Sequence, residues 1–301
     1  MKRISCLLVL GLLVQSAQAA PVVDGTKDAA YGNPRSVQTV NTEFGDNASE
    51  WNAAYATVDS GTLYLMLTGN LEGNFNKLEL FLDTAAGGSN VLNTIGNDGS
   101  GVMNGMTLDA GFEPEYHFIL RNGSFGGDKF DVDLATLNSG VGGAGALIID
   151  GNGGGGTDIF GGTKEGSASA IGGTSLAVGF DNSNVAGIVG GTGAANQAAA
   201  KAVTTGLELS IDLADIGSPT GSSTVRVMVL QNNDNHDFLS NQTLGGLPAG
   251  TGNLGSPAAG IDFTLFPTTD QFFIVSIPEP ATFAMAGLAV AALALRRRRR
   301  G

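Results

Sequence analysis

His117 and His236 are the only imidazoles in a chain of 301 residues, and imidazole is the side chain best suited to moving protons or binding a metal near neutral pH. His117 falls in the strand-like run EYHFIL and His236 in the polar stretch QNNDNHD. Two histidines so far apart in sequence fit no metal-ligand spacing, so each reads as a packed or solvated residue. Neither G-x-S-x-G nor H-E-x-x-H occurs, which removes the ready-made serine and zinc hydrolase motifs. Carboxylates are plentiful, but a glycosidase pair is defined by separation in space, and the sequence selects no pair above the rest. Oxygen ligands are better grouped in DGNGGGGTD, where Asp150, Asn152 and Asp158 are spaced like part of a calcium loop, with Gly161 where an EF-hand would need its glutamate. These three are the candidate calcium ligands of a non-EF site; a plain surface loop is the alternative. The stretch GVGGAG at 140–145 fits G-x-G-x-x-G, but a strand-like run follows it, so no helix N-terminus is offered to a pyrophosphate. Trp51 is the single tryptophan. Its broad apolar face makes it the candidate sugar-stacking residue, and a place in the core is the alternative.

The ends of the chain carry clearer signals. Residues 277–301 read IPEPATFAMAGLAVAALALRRRRRG. Pro278 and Pro280 stop any regular element, and a helix-forming apolar run covers 281–295. Fifteen residues make about 22 Å of helix, short of a hydrocarbon core of about 30 Å. That is a transmembrane helix marginal as a permanent anchor. Arg296, Arg297, Arg298, Arg299 and Arg300 form a membrane-side basic cluster that snorkels to the interface and keeps the C-terminus cytoplasmic. A terminal cluster abutting an apolar run is not a nucleic-acid patch. Pro278-Glu279-Pro280, the short apolar helix and the arginines together resemble the PEP-CTERM sorting signal of Gram-negative bacteria. The resemblance implies recognition by an exosortase, a membrane cysteine transpeptidase, and sorting to the cell surface; it implies nothing about activity.

At the other end, MKRISCLLVLGLLVQSAQAA has a basic start, an apolar run over 4–14 and small residues ending Ala17-Gln18-Ala19. This is the layout of a signal peptide over 1–19. Cys6, the only cysteine, leaves with it, so no disulfide, cysteine nucleophile or thiolate zinc site remains. The chain has 15 Lys+Arg and 28 Asp+Glu, a formal −13. Without Lys2, Arg3 and the five terminal arginines eight basic residues remain, and without Glu279 there are 27 acidic ones, so the exported body carries about −19. Such a field repels nucleic acid and anionic lipid.

What must position these residues is a body over 20–276, long enough for one large domain. Helix signals are nearly absent. LELSIDLADIG places Leu207, Leu209, Ile211 and Leu213 on one face and Glu208, Ser210 and Asp212 on the other, the period of a half-buried strand. Similar runs are NAAYATV, TLYLMLTG, KLELFLD, EYHFIL, ALIID, STVRVMVL, GIDFTLF and QFFIVS. Asp59-Ser60-Gly61 predicts a tight hairpin between the first two. About nine strands with glycine-rich loops predict an all-β, two-sheet antiparallel sandwich. Residues 139–173 hold 14 glycines and predict loops flanking one strand. VVDGTKDAAYG, TLYLMLTGNL, KLELFLDT and TGLELSIDLADIG are similar to family-nine carbohydrate-binding-like and DOMON-like sandwiches. That resemblance implies a sugar site built from aromatic planes. The expectation is an exported, non-enzymatic surface or matrix protein with glycan affinity; a calcium-stabilised matrix protein and an exopolysaccharide hydrolase are the alternatives.

Overall fold

The computed structural model describes residues 19–124, 128–138, 141–152, 164–168, 174–217, 219, 223–266 and 269–278. All but the last residue of the signal peptide, all but the first residue of the Pro278-Glu279-Pro280 motif, the apolar run, the five arginines and Asp158 lie outside them. Among the described residues no helix is long and apolar enough to cross a membrane.

Thirteen strands are described, all paired antiparallel within two sheets: β1 (Ser36–Val37), β2 (Glu50–Asp59), β3 (Thr62–Asn70), β4 (Lys77–Asp83), β5 (Tyr116–Ser124), β6 (Asp128–Asn138), β7 (Val141–Asn152), β8 (Lys164–Ala168), β9 (Thr174–Phe180), β10 (Gly206–Asp212), β11 (Thr224–Asn232), β12 (Leu239–Leu244) and β13 (Phe273–Ser276). The first sheet runs β1-β2-β3-β10-β9-β8; the second runs β12-β11-β4-β5-β6-β7, with β13 also on β11. The main core between them takes the alternate residues Leu78, Leu80 and Leu82 of β4 and Leu207, Leu209 and Ile211 of β10. The period-two reading of β10 therefore holds for its inward face.

The β2–β3 hairpin pairs Asp59 with Thr62, leaving Ser60 and Gly61 with φ of 51° and 90°. Two positive φ values make the type I′ turn, whose twist matches the strands. Further along the hairpin, Trp51 pairs with Gly69 but Ala53 pairs with Thr68. Asn52 is the extra residue of a β-bulge. The bulge has a side-chain consequence. Ala54 and Ala56 face the core, so strict alternation would turn Trp51 outward; the extra residue turns it inward instead. Trp51 is fully buried in the main core, and its Nε1 donates to Gln231 Oε1 of β11 at 2.9 Å. Its candidate role as a sugar platform is corrected accordingly: both faces of the indole are occupied by protein. Gly69 accommodates the bulge, since a Cβ there, at φ +145°, would lie 2.1 Å from the Glu50 carbonyl oxygen.

Other expectations differ from the fold. GIDFTLF begins at the end of a short 3₁₀ turn at Ala258–Gly260 and itself forms another at Phe263–Leu265, because Phe263 is packed into an outer cluster and not into a ladder. The glycine-rich stretch contributes β7 and β8, with β7 paired along β6; backbone pairing overrides the entropic cost of glycine there. Asp150 and Asn152 lie on β7. The outer face of the second sheet is not open to water. Segments of 84–112 and 245–272 bury a second cluster on it, including Phe81, Met228, Leu230, Met103, Phe112 and Phe263.

Burial of the single tryptophan predicts a blue-shifted emission that iodide does not quench and that added oligosaccharide leaves unchanged. A red-shifted, quenchable emission that moves with sugar would return Trp51 to the ligand-binding role.

Candidate functional site

KLELFLD alternates strictly, so Lys77, Glu79, Phe81 and Asp83 point away from the main core, under the covering segments. Cross-strand register places Lys77 opposite Arg121 and Glu79 opposite Ile119 on β5, and Arg121 opposite Asp131 and Ile119 opposite Asp133 on β6. On the other side Asn232 of β11 lies opposite Lys77. Four neighbouring strands thus put a band of charged and polar groups on one face of the sheet. Two loops close it: the turn Asn97–Met103 brings Asp98, and the β11–β12 connection brings His236.

The two histidines that sequence spacing left unrelated meet on one carboxylate. His117 Nε2 lies 2.7 Å from Glu79 Oε2, and His236 Nδ1 lies 2.6 Å from Glu79 Oε1. Glu79 and His117 are fully buried and His236 is 1% exposed. His117 is stacked on Phe81 with ring centroids 4.3 Å apart, and its Nδ1 is buried without a partner. His236 Nε2 reaches the Asp98 carbonyl at 2.9 Å and Asp98 Oδ2 at 3.3 Å. Asp98 Oδ2 also receives Lys77 Nζ at 3.0 Å and Arg121 Nη1 at 3.2 Å. Arg121 continues the chain of pairs to Asp133 and, at 3.4 Å, to Asp131. Asn97 Nδ2 donates to Asp133 Oδ1 at 2.9 Å.

These contacts fix the ionisation states. Burial alone would push the Glu79 carboxyl up, but the His236 charge and the hydrogen bonds from both imidazoles outweigh it and hold Glu79 well below the usual carboxylate range. Burial opposes the charged form of His236 too, yet Glu79 and Asp98 raise it to about 9. Asp98 is lowered, since His236, Arg121 and Lys77 together exceed its desolvation. Asp133 is raised, because burial and the charges of Asp98 and Asp131 outweigh its bond to Arg121. His236 and Asp98 hold φ values of 62° and 49°, a left-handed conformation that histidine and aspartate tolerate better than most residues but that needs support from contacts. The network supplies that support at both loop tips.

A second buried carboxylate sits on the first sheet. Glu208 was expected on the polar face of β10, yet it is fully buried. Its Oε2 accepts from Asp24 N and Gly25 N at 3.0 and 3.1 Å, and Tyr31 Oη donates to Oε1 at 2.6 Å. Burial dominates, partly offset by these bonds, and pushes Glu208 up to about 7. Burial, then the Glu208 charge, raises the Tyr31 phenol. The opening D-G segment is thereby fastened over β10.

Chemically the Glu79 network is a closed ion-pair system. Among the described residues no group of three or more His, Cys, Asp or Glu side chains could hold a metal ion. An open concavity of about 330 Å³ lies elsewhere, beside Asp83, Thr84, Ser223, Thr224 and Arg226, where Arg226 Nη1 pairs with Asp83 Oδ2 at 2.9 Å. The sequence missed Glu79 and Glu208 because each stands on the polar side of an alternating strand. The only available signal was that KLELFLD carries Phe81 on that same side.

Residues 276–299 match the family model of the PEP-CTERM protein-sorting motif. No curated protein and no solved structure matches the chain.

Stability is expected to fall as pH rises from acid toward 9. Glu208, raised in the fold, withdraws its contribution as pH climbs from the unfolded carboxylate value through about 7. His236 withdraws its own between the unfolded value of about 6.5 and the folded value of about 9. Glu79, lowered in the fold, acts oppositely and only below about pH 4.5. Thermal melts from pH 5 to 9 check this. Glu79→Gln is expected to cost about 3–5 kcal/mol, as for one partner removed from a buried pair, and to flatten the decline between pH 6.5 and 9. A decline unchanged in that variant would contradict the assignment.

Proposed function

We infer that the chain is exported, sorted by an exosortase and held at the membrane by its C-terminus before processing, a reading that the sorting motif supports. Beyond that, we propose that the chain is a non-enzymatic cell-surface or extracellular-matrix protein, delivered to the surface after the tail is processed. The observation carrying this reading is the match at 276–299, joined directly to a β-sandwich. The use of the reactive side chains supports it. Both imidazoles are bonded to Glu79 inside the body, all three side chains are buried, and a sandwich stitched by buried polar contacts suits a durable scaffold. The negative charge of the body keeps it soluble and repels nucleic acid. Extracellular polysaccharide is a partner in this reading only through surfaces other than Trp51.

Protein released by a native host is expected to lack 1–19 and the apolar tail by intact mass. Glu279→Gln is expected to accumulate as an uncleaved membrane form with the body outside, since Glu279 lies outside the apolar run. Replacing Arg296, Arg297, Arg298, Arg299 and Arg300 by serine is expected to lose membrane orientation instead. Extracellular protein still carrying the arginines would sink the sorting reading. Turnover of exopolysaccharide by the released body would sink the scaffold reading.

A further inference from the structure

The matched motif begins at Ser276, and Ser276 is the last residue of β13. Fold and motif therefore overlap. Ser276 lies opposite Thr224 and Val275 opposite Val225 on β11. Ile277 N donates to the Ser223 carbonyl at 3.2 Å, and the Ile277 side chain is in the main core. Pro278 is the first exposed residue past the strand that no described hydrogen bond holds. Between Ile277 and the apolar run starting at residue 281 stand only Pro278, Glu279 and Pro280, which span about 10 Å when fully extended. With β13 in place the sandwich would stand about that far from the bilayer surface.

An enzyme that cuts and transfers a peptide binds it as an extended segment on both sides of the reacting bond, commonly by strand addition to its own backbone. Residues paired to β11 cannot be paired to the enzyme at the same time. We propose that the processing enzyme engages this protein by drawing β13 out of the sheet, so that Phe273–Ser276 and the residues after it become the extended segment the enzyme grips. This inference rests on the exosortase-sorting reading.

The strand is placed for release. It has four residues, β11 is its only paired neighbour among the described residues, and it lies along the edge of β11 beyond the stretch that β12 covers. Its outward residues Ile274 and Ser276 are exposed, and only Phe273 and Val275 face the core.

A disulfide staple tests this in the intact precursor. Ile277 and Ser223 form a hydrogen-bonded pair, so the next pair, Ser276 and Thr224, is of the non-hydrogen-bonded type, whose Cα atoms lie about 4.5 Å apart, within disulfide reach. Cys6 is the only native cysteine and lies in the leader. Wild type, Thr224→Cys/Ser276→Cys, each single cysteine variant, and the stapled variant with a Gly/Ser spacer after Ile277 are expressed in a host with an active sorting enzyme. Precursor and mature forms are then quantified by mass. The expected result is loss of the mature form in the oxidised staple alone, with the spacer restoring it and both single variants maturing normally. Wild-type maturation of a verified staple overturns the proposal, as does a loss that the spacer fails to restore. Failure of the wild type itself, in a host that matures another motif-bearing protein, overturns the sorting reading beneath it.

Discussion

Glu79 is an ionised carboxylate in the middle of a sheet that is buried on both faces, and much of the second sheet is organised by that constraint. An isolated buried carboxylate costs many kcal/mol, and pairing offsets this only when the geometry satisfies both oxygens. Here each oxygen has its own imidazole. One imidazole comes from the adjacent strand and the other from a loop held in a left-handed turn. The carboxylate thus requires the loop to close, and the closed loop brings Asp98 and through it Lys77 and Arg121. The covering layer with Phe112 and Phe263 then packs on a face whose charges are already neutralised.

The same device recurs on the first sheet. Glu208 anchors the opening segment through Asp24, Gly25 and Tyr31. Glu50 of β2 is fully buried as well and accepts from Asn47 N, Asn52 Nδ2 and Asn184 Nδ2. Three buried glutamates on strands each fasten a segment that is not in the sheet. A chain rich in glycine and long connections needs such fixed points, because glycine-rich backbone gives up more entropy on ordering than other sequence does. Burial raises Glu208 and Glu50, while the imidazole charge lowers Glu79. Only Glu79 is therefore an ion-pair anchor in the full sense; the other two are held by hydrogen bonds.

Much of the fold was legible in the sequence. KLELFLD is β4 to the residue, the Ser60-Gly61 turn has the two positive φ values it needs, and the inward face of LELSIDLADIG is the core face of β10. These are local properties of alternation and turn chemistry. What escaped is non-local. Alternation says that Glu79 and Glu208 leave the main core, but it is silent on whether another layer covers them. His117 and His236 meet only because β5 and β11 both flank β4. Trp51 is turned inward by one inserted residue, and GIDFTLF resembles a strand because its apolar residues serve a covering layer. The sorting motif was legible since its parts are contiguous; that it overlaps β13 required the strand pairing.

With two histidines in the chain, the pivot of this arrangement can be read from two imidazole signals. Titration of the folded body by histidine-resolved NMR measures the protonation of His236 directly. Glu79 and Asp98 holding a charged imidazole predict that its resonance stays in the protonated form through neutral pH and titrates near the value of about 9. Two histidines that both lose their proton close to the free value of about 6.5 would contradict the charged pair on which the layering of the second sheet is argued to depend.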